Sequence, residues 1–180
     1  MKVTVESRQR RKSGWGIKGL PASGPEPRLK DKLQLFGQFV GDWDIVDQTF
    51  PLAGRVNVKR TGEAHFNWIL EGRAVQDVWG PIDESSGRFI PAGTTLRFYD
   101  EGLDAWRSVW ISPLQKEARR FVGRKVGSEI VLREEYRGLS TEHWVFYEIE
   151  RDFFKWRALR RGRPGGPWKS VEEMSLVRRS

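Results

Sequence analysis

The chain has no cysteine among its 180 residues, and only two histidines. The first absence removes disulfides, thiolate metal sites and thiol catalysis together. His65 and His143 are too few for most zinc sites unless carboxylates supplement them, so no metal is expected. No apolar run approaches the roughly 18 residues that a membrane-spanning helix needs. The basic N-terminus carries no apolar core of the kind a secretory signal requires, and a cytoplasmic location is expected. Sequence signatures of the common catalytic machines are missing as well: Gly-x-Ser-x-Gly, His-Glu-x-x-His, the P-loop and Gly-x-Gly-x-x-Gly. No cofactor is implied.

The net charge is +8, and its placement matters more than its size. Residues 1–32 carry nine Lys/Arg against three Asp/Glu, and residues 151–180 carry nine against three. The stretch between has fourteen against eighteen and is mildly acidic. A nucleic-acid binder spreads basic charge along the groove it uses, so nucleic acid is not the expected partner.

Nine tryptophans are present, and their spacing carries the fold. Residues 1–27 read as a basic arm, with Ser7–Lys12 as its charge cluster and glycines and prolines too frequent for a stable element. Within it Trp15 could dock over a pocket mouth as a lid, or the arm could be a disordered leader. Residues 28–40 place Leu29, Leu33, Phe36 and Val40 at helical spacing, with Pro27 before them and Gly41 after. Beyond Asp42 the period becomes two. Strands are expected near 42–50, 56–61, 62–70, 73–79, 94–100, 105–112, 118–125, 129–136, 142–149, 153–160 and 168–177. Short turns join them, apart from a longer loop at 80–93. Such a meander removes its edges by closing into an all-β, antiparallel up-and-down barrel with a short N-terminal helix.

A turn at Glu71-Gly72 sets Leu70 opposite Arg73, and therefore Trp68 opposite Val75, Phe66 opposite Asp77 and Ala64 opposite Trp79. These share one face, and the bulk of their rings assigns it to the interior. Asp77 then points inward among tryptophans. By the same alternation Trp106, Ser108 and Trp110 share a face, as do Trp144, Phe146 and Glu148, and Phe154, Trp156 and Ala158. Large aromatics with sparse polar groups suit a small-molecule pocket, although they also suit an ordinary core.

Gly41-Asp42-Trp43, after a helix and at the start of the first strand, resembles the Gly-x-Trp signature of lipocalins. That resemblance implies a tryptophan plugging the closed end of a calycin barrel, with an arginine from the last strands across its indole: Arg157, Arg178 or Arg179. A wider likeness covers about 36–178: Phe39–Asp44 (FVGDWD), Trp68–Trp79 (WILEGRAVQDVW), Thr95–Asp100 (TLRFYD), Trp106–Ile111 (WRSVWI), Phe154–Arg157 (FKWR), then Trp168 and Glu173-Met174. It is similar to a family of bacterial lipocalin-like proteins of undefined function. That likeness implies a calycin barrel and says little about chemistry; the inward aromatic faces point to a small apolar ligand as partner, walled by Trp68, Trp79, Trp106, Trp110, Trp144, Phe146 and Trp156.

The candidate reactive groups are Asp77 and Glu148, whose burial would raise their pKa and suit acid–base work, and Tyr99 as a donor. Arg97, on Tyr99's face, would orient a carboxylate or enolate. An arginine bridge to either acid, from Arg73, Arg97 or Arg120, is the structural alternative. Two function classes follow. One is a cofactor-independent cyclase or isomerase acting on a polyketide-like secondary metabolite, with the arm as its lid. The other is a carrier or sensor of a hydrophobic ligand. Val109 and Ile111 on the outer face could mark a homodimer surface or the seat of a covering helix.

Overall fold

The computed structural model describes residues 17–51, 61–135 and 141–180. The expected strand at 56–61 and the docking of Trp15 lie outside these residues, apart from Thr61. A 3₁₀ turn, Pro27–Leu29, leads into helix α1, Lys30–Gly37. Ten antiparallel strands follow: β1 Gly41–Thr49, β2 Gly62–Ile69, β3 Ala74–Pro81, β4 Gly93–Asp100, β5 Ala105–Ser112, β6 Glu117–Val126, β7 Glu129–Glu134, β8 Glu142–Tyr147, β9 Phe153–Arg160 and β10 Lys169–Arg178. Each strand pairs with its neighbours in sequence, and β10 returns to β1, so the barrel is closed. Closure leaves no long unpaired edge in a chain with this many β-branched and aromatic residues.

The β2–β3 register is Trp68 with Val75, Phe66 with Asp77 and Ala64 with Trp79, as the hairpin reading requires. The turn is wider than two residues, because the last strand pair is Ile69 with Ala74 and Leu70, Glu71 and Gly72 all take positive φ. Ile69 and Ala74, on the outward face, are nevertheless buried. The N-terminal segment covers them: Ala22 N–H donates to Trp68 O at 3.0 Å, Leu70 N–H to Leu20 O at 2.8 Å and Glu26 N–H to Gly72 O at 3.1 Å. The described part of the arm thus lies along the β2–β3 hairpin. Ile111, on the outer face of β5, is exposed.

Strand directions divide the barrel into two ends. The end that receives α1 is filled with rings. Phe36 meets Trp106 edge-on at 4.8 Å between centroids, Phe39 lies 4.7 Å from Phe154, and Trp43 lies 4.6 Å from Phe154. Leu33, Phe36 and Trp43 are fully buried. The helix stops at Gly37 rather than continuing to Val40, and Trp68 packs directly on that glycine. A Cβ at Gly37 would stand 2.4 Å from Trp68 Cζ2.

The Gly41–Trp43 corner locks this end. The Trp43 indole N–H donates to Phe39 O at 2.7 Å. Arg178, from β10, lies over the Trp43 ring at 4.2 Å. Its guanidinium also donates to Val40 O and Gln38 O, each at 2.8 Å, which answers carbonyls left open at the helix C-terminus. Of the three candidate arginines, Arg178 makes the stack, while Arg157 lies over Tyr147 and Arg179 pairs with Asp44. Gly41 has φ +132°, and a Cβ there would lie 2.7 Å from Arg178 Nη1, so both its conformation and the arginine's approach require glycine.

Candidate functional site

Above the packed end the barrel keeps a cavity of about 150 Å³. Four tryptophans form its wall: Trp79 on β3, Trp110 on β5, Trp144 on β8 and Trp156 on β9. They touch in series. Trp79 and Trp110 stack at 5.9 Å, Trp110 meets Trp144 edge-on at 5.8 Å, and Trp144 meets Trp156 at 5.5 Å. Phe66, Phe146 and Phe154 form the floor, shared with the packed end, and Met174 closes the β10 side. The rings come inward because alternate residues on each strand share a face, and every one of these positions falls on the inner set.

Charged groups occur at two levels. At the floor, Asp77 and Arg97 on adjacent strands form a buried ion pair, Arg97 Nη1 donating to Asp77 Oδ2. The second Asp77 oxygen accepts from Thr95 N–H at 3.0 Å. At the open end, Glu142 is held by three donors: Arg119, Arg160 Nη2 at 2.7 Å and the Trp144 indole N–H at 2.8 Å. Burial alone would raise the Glu142 carboxyl, but Arg119, Trp144 and Arg160 overcome it and hold it below its ordinary value.

Glu172 has the opposite balance. Its Oε1 accepts from Gln48 Nε2 at 2.6 Å, and it faces the cavity. Burial pushes its carboxyl above the ordinary value; the negative charge of Glu142 adds to the rise, while Gln48 and Arg160 oppose it. Glu172 shares the inward face of Met174 and Leu176 on β10, and an irregularity in β1 brings Gln48 to it. The β1–β10 register shifts between Ile45 and Asp47, and the β9–β10 register shifts between Ser170 and Glu172. An extra residue in a strand re-aims the side chains that follow. Strict alternation from Trp43 and Ile45 would turn Asp47 inward; the bulge puts Gln48 there instead. A period-two reading has no means of locating the bulge that turns Gln48 inward; Glu172 was not singled out either, although alternation from Met174 and Leu176 along β10 could have found it.

The expected site residues divide accordingly. Trp79, Arg97, Trp110, Trp144, Phe146 and Trp156 line the cavity with Asp77. Trp68 and Trp106 are buried instead against α1 at the packed end. Tyr99 faces inward but sits at the helix-end rim, where its hydroxyl donates to Asp104; it does not line the cavity. Glu148 requires a correction. It is exposed and pairs with Lys155 at 2.7 Å rather than pointing inward with Trp144 and Phe146. Strand β8 ends at Tyr147, and Glu148 takes φ 47°, which breaks the alternation one residue before the position where it was applied. The buried acid of β8 is Glu142. Among the described residues no group of three or more His, Asp or Glu side chains is placed to hold a metal ion. Among them, too, no helix is long and apolar enough to cross a membrane.

The closed up-and-down sheet, the N-terminal helix at one end and the arginine-covered tryptophan define a lipocalin-like, calycin-type barrel. Neither a family model nor a curated relative matches the sequence. Among solved structures, the barrel is similar to an S-type phycobiliprotein lyase, CPES, from Guillardia theta, with a TM-score of 0.52 and 10% identity, over 82% of this chain and 92% of that one. At this identity the likeness establishes the shared fold.

Proposed function

We propose that the barrel binds a small, largely apolar, ring-bearing molecule among Trp79, Trp110, Trp144 and Trp156, and rearranges it without a cofactor, as a cyclase or isomerase. The observation that carries this reading is the pairing of an aromatic wall with Glu172, a cavity carboxyl bonded to an amide. A carboxyl raised by burial keeps its proton to higher pH than an ordinary one, which suits it to proton transfer. Cyclisation and isomerisation conserve composition. A proton taken from one substrate atom and returned to another needs no co-reactant, and the walls supply orientation. A polyketide-like metabolite fits this description. That a solved barrel of the same fold is a phycobiliprotein lyase supports the enzymatic reading by analogy of architecture.

The carrier or sensor reading rests on a different observation. Asp77, the acid most prominent in the sequence, is tied to Arg97 and to a backbone N–H, which suits fold specificity rather than proton transfer.

Native mass spectrometry of protein purified from its producing organism, followed by incubation of the retained compound, separates the two. Release of a constitutional isomer by the wild type, with binding kept but conversion lost in Glu172→Gln, supports the enzyme. Release of the same compound unchanged supports the carrier. An intact fold that retains nothing removes both.

A further inference from the structure

Arg97 is 2% exposed and lines the cavity floor. A guanidinium carries five N–H donors. This one makes a single hydrogen bond, to Asp77. Its Nε is buried with no acceptor. Its remaining surroundings are ring faces: Phe36 at 5.2 Å, Phe146 at 5.7 Å and Phe66 at 5.8 Å. Two more polar groups beside it lack partners. Ser108 stands directly opposite Arg97 on β5 with its Oγ unbonded, and Trp106, two residues along the same face, has an unbonded indole N–H. Unanswered buried donors are costly; of these groups only Arg97 lines the cavity, so it is the one that a ligand acceptor there can meet.

The charge count narrows what that acceptor is. The Asp77–Arg97 pair carries no net charge. The charged residues around the whole cavity are Asp77, Glu117, Glu142 and Glu172 against Arg97, Arg119 and Arg160. With Glu172 ionised or protonated the lining has no cationic excess, so a carboxylate at the floor would add an uncompensated negative charge and stand beside Asp77. A neutral carbonyl oxygen takes a hydrogen bond from the guanidinium and adds no charge.

Resting on the reading of this cavity as a ligand site, we infer that its ligand is an uncharged, ring-bearing carbonyl compound whose oxygen is seated at the floor on Arg97. The ring occupies the tryptophan belt above it. Arg97 is thus the specificity-determining group of the site. In a rearrangement it would also polarise the carbonyl, since its unshared donors strengthen as charge develops on the oxygen.

The test uses three probes of one-ring size, matched to a cavity of about 150 Å³: acetophenone, its oxygen-free isostere α-methylstyrene, and benzoate. Affinities are measured by tryptophan fluorescence on the full chain and on the double variant Asp77→Asn/Arg97→Met, which keeps an acceptor for Thr95 N–H. The ratio of acetophenone to α-methylstyrene affinity, which cancels the difference in water-to-apolar transfer between wild type and variant, should fall about tenfold or more in the variant. Benzoate should bind the wild type more weakly than acetophenone. Carbon-13 NMR of carbonyl-labelled acetophenone on the wild type gives a second readout independent of the variant's folding. Its resonance should lie downfield of that in an alkane. An unchanged ratio with an alkane-like resonance means the floor donors are answered by bound water only, and overturns the inference while leaving the binding cavity intact. Tightest binding of benzoate overturns it in favour of an anion site. Failure of all three probes to bind overturns both this inference and the cavity reading.

Discussion

Replacing Arg178 by methionine tests how the packed end of the barrel is held. The change removes the stack on Trp43, the two hydrogen bonds to Gln38 O and Val40 O, and a third from Nε to Arg151 O at 3.0 Å. The cation–π contact is worth about 0.5–1 kcal/mol. Bonds from a charged donor can exceed 1.5 kcal/mol, but the side chain is 24% exposed and water can reach the freed carbonyls, so roughly 1 kcal/mol each is the fair value. The distant contact with Asp152, which is 64% exposed, adds little. The total is a loss of about 3–4 kcal/mol, or about 6–16 °C in Tm for a domain of this size. Urea denaturation of wild type, Arg178→Met and Arg178→Lys measures it, with Trp43 contributing to the fluorescence signal. Lysine keeps the charge but offers no planar fork, and should recover less than half of the loss. A methionine variant within about 0.5 kcal/mol of wild type would refute the idea that this arginine joins helix, first strand and last strand.

Three further outcomes follow from the geometry. Gly93→Ala would place a Cβ 2.2 Å from Trp110 Cη2 and 2.7 Å from Ile111 O; it should destabilise by about 1–3 kcal/mol through overpacking and shrink the cavity, seen as weakened acetophenone binding. The raised carboxyl of Glu172 makes the folded state hold a proton that the unfolded chain releases near 4.5, so its contribution to stability falls as pH rises above that value. Glu172→Gln should therefore gain stability relative to wild type above that window and not below it, in denaturation curves taken across pH. Glu142 behaves oppositely: its lowered pKa stabilises the fold above 4.5, and that contribution is lost as pH falls through the folded value. Glu142→Gln should be less stable than wild type near neutrality, with the gap closing in acid.

Much of the barrel could be read from the chain because its signals are local. A period of two in the aromatic residues marks Trp106 and Trp110, Trp144 and Phe146, and Phe154 and Trp156 as inward pairs, and all six are buried. The hairpin reading placed Asp77 inward opposite Phe66, where it lies. The reading failed where the backbone departs from its period. At Glu148 a left-handed residue turns an expected interior acid out to solvent. At Val46 the register slips, so that Gln48 turns inward to Glu172 where alternation from Trp43 and Ile45 would have placed Asp47. Tyr99 was assigned the correct face and the wrong depth, since alternation tells inside from outside and not floor from rim.

Composition and periodicity therefore determined the class of sheet, the sequential order of the strands, and the side of the sheet on which the paired rings lie, because each depends on residues close in the chain. Tertiary structure decided which rings pack and which enclose space. Trp68 and Trp106 meet α1 while Trp79, Trp110, Trp144 and Trp156 do not, and that follows from where the helix plugs the barrel. It also decided which charges meet, since Asp77 with Arg97, and Glu142 with Arg119 and Arg160, are neighbours only once the strands align. Distances between strands are set by closure and bulges, which no local pattern in the sequence encodes.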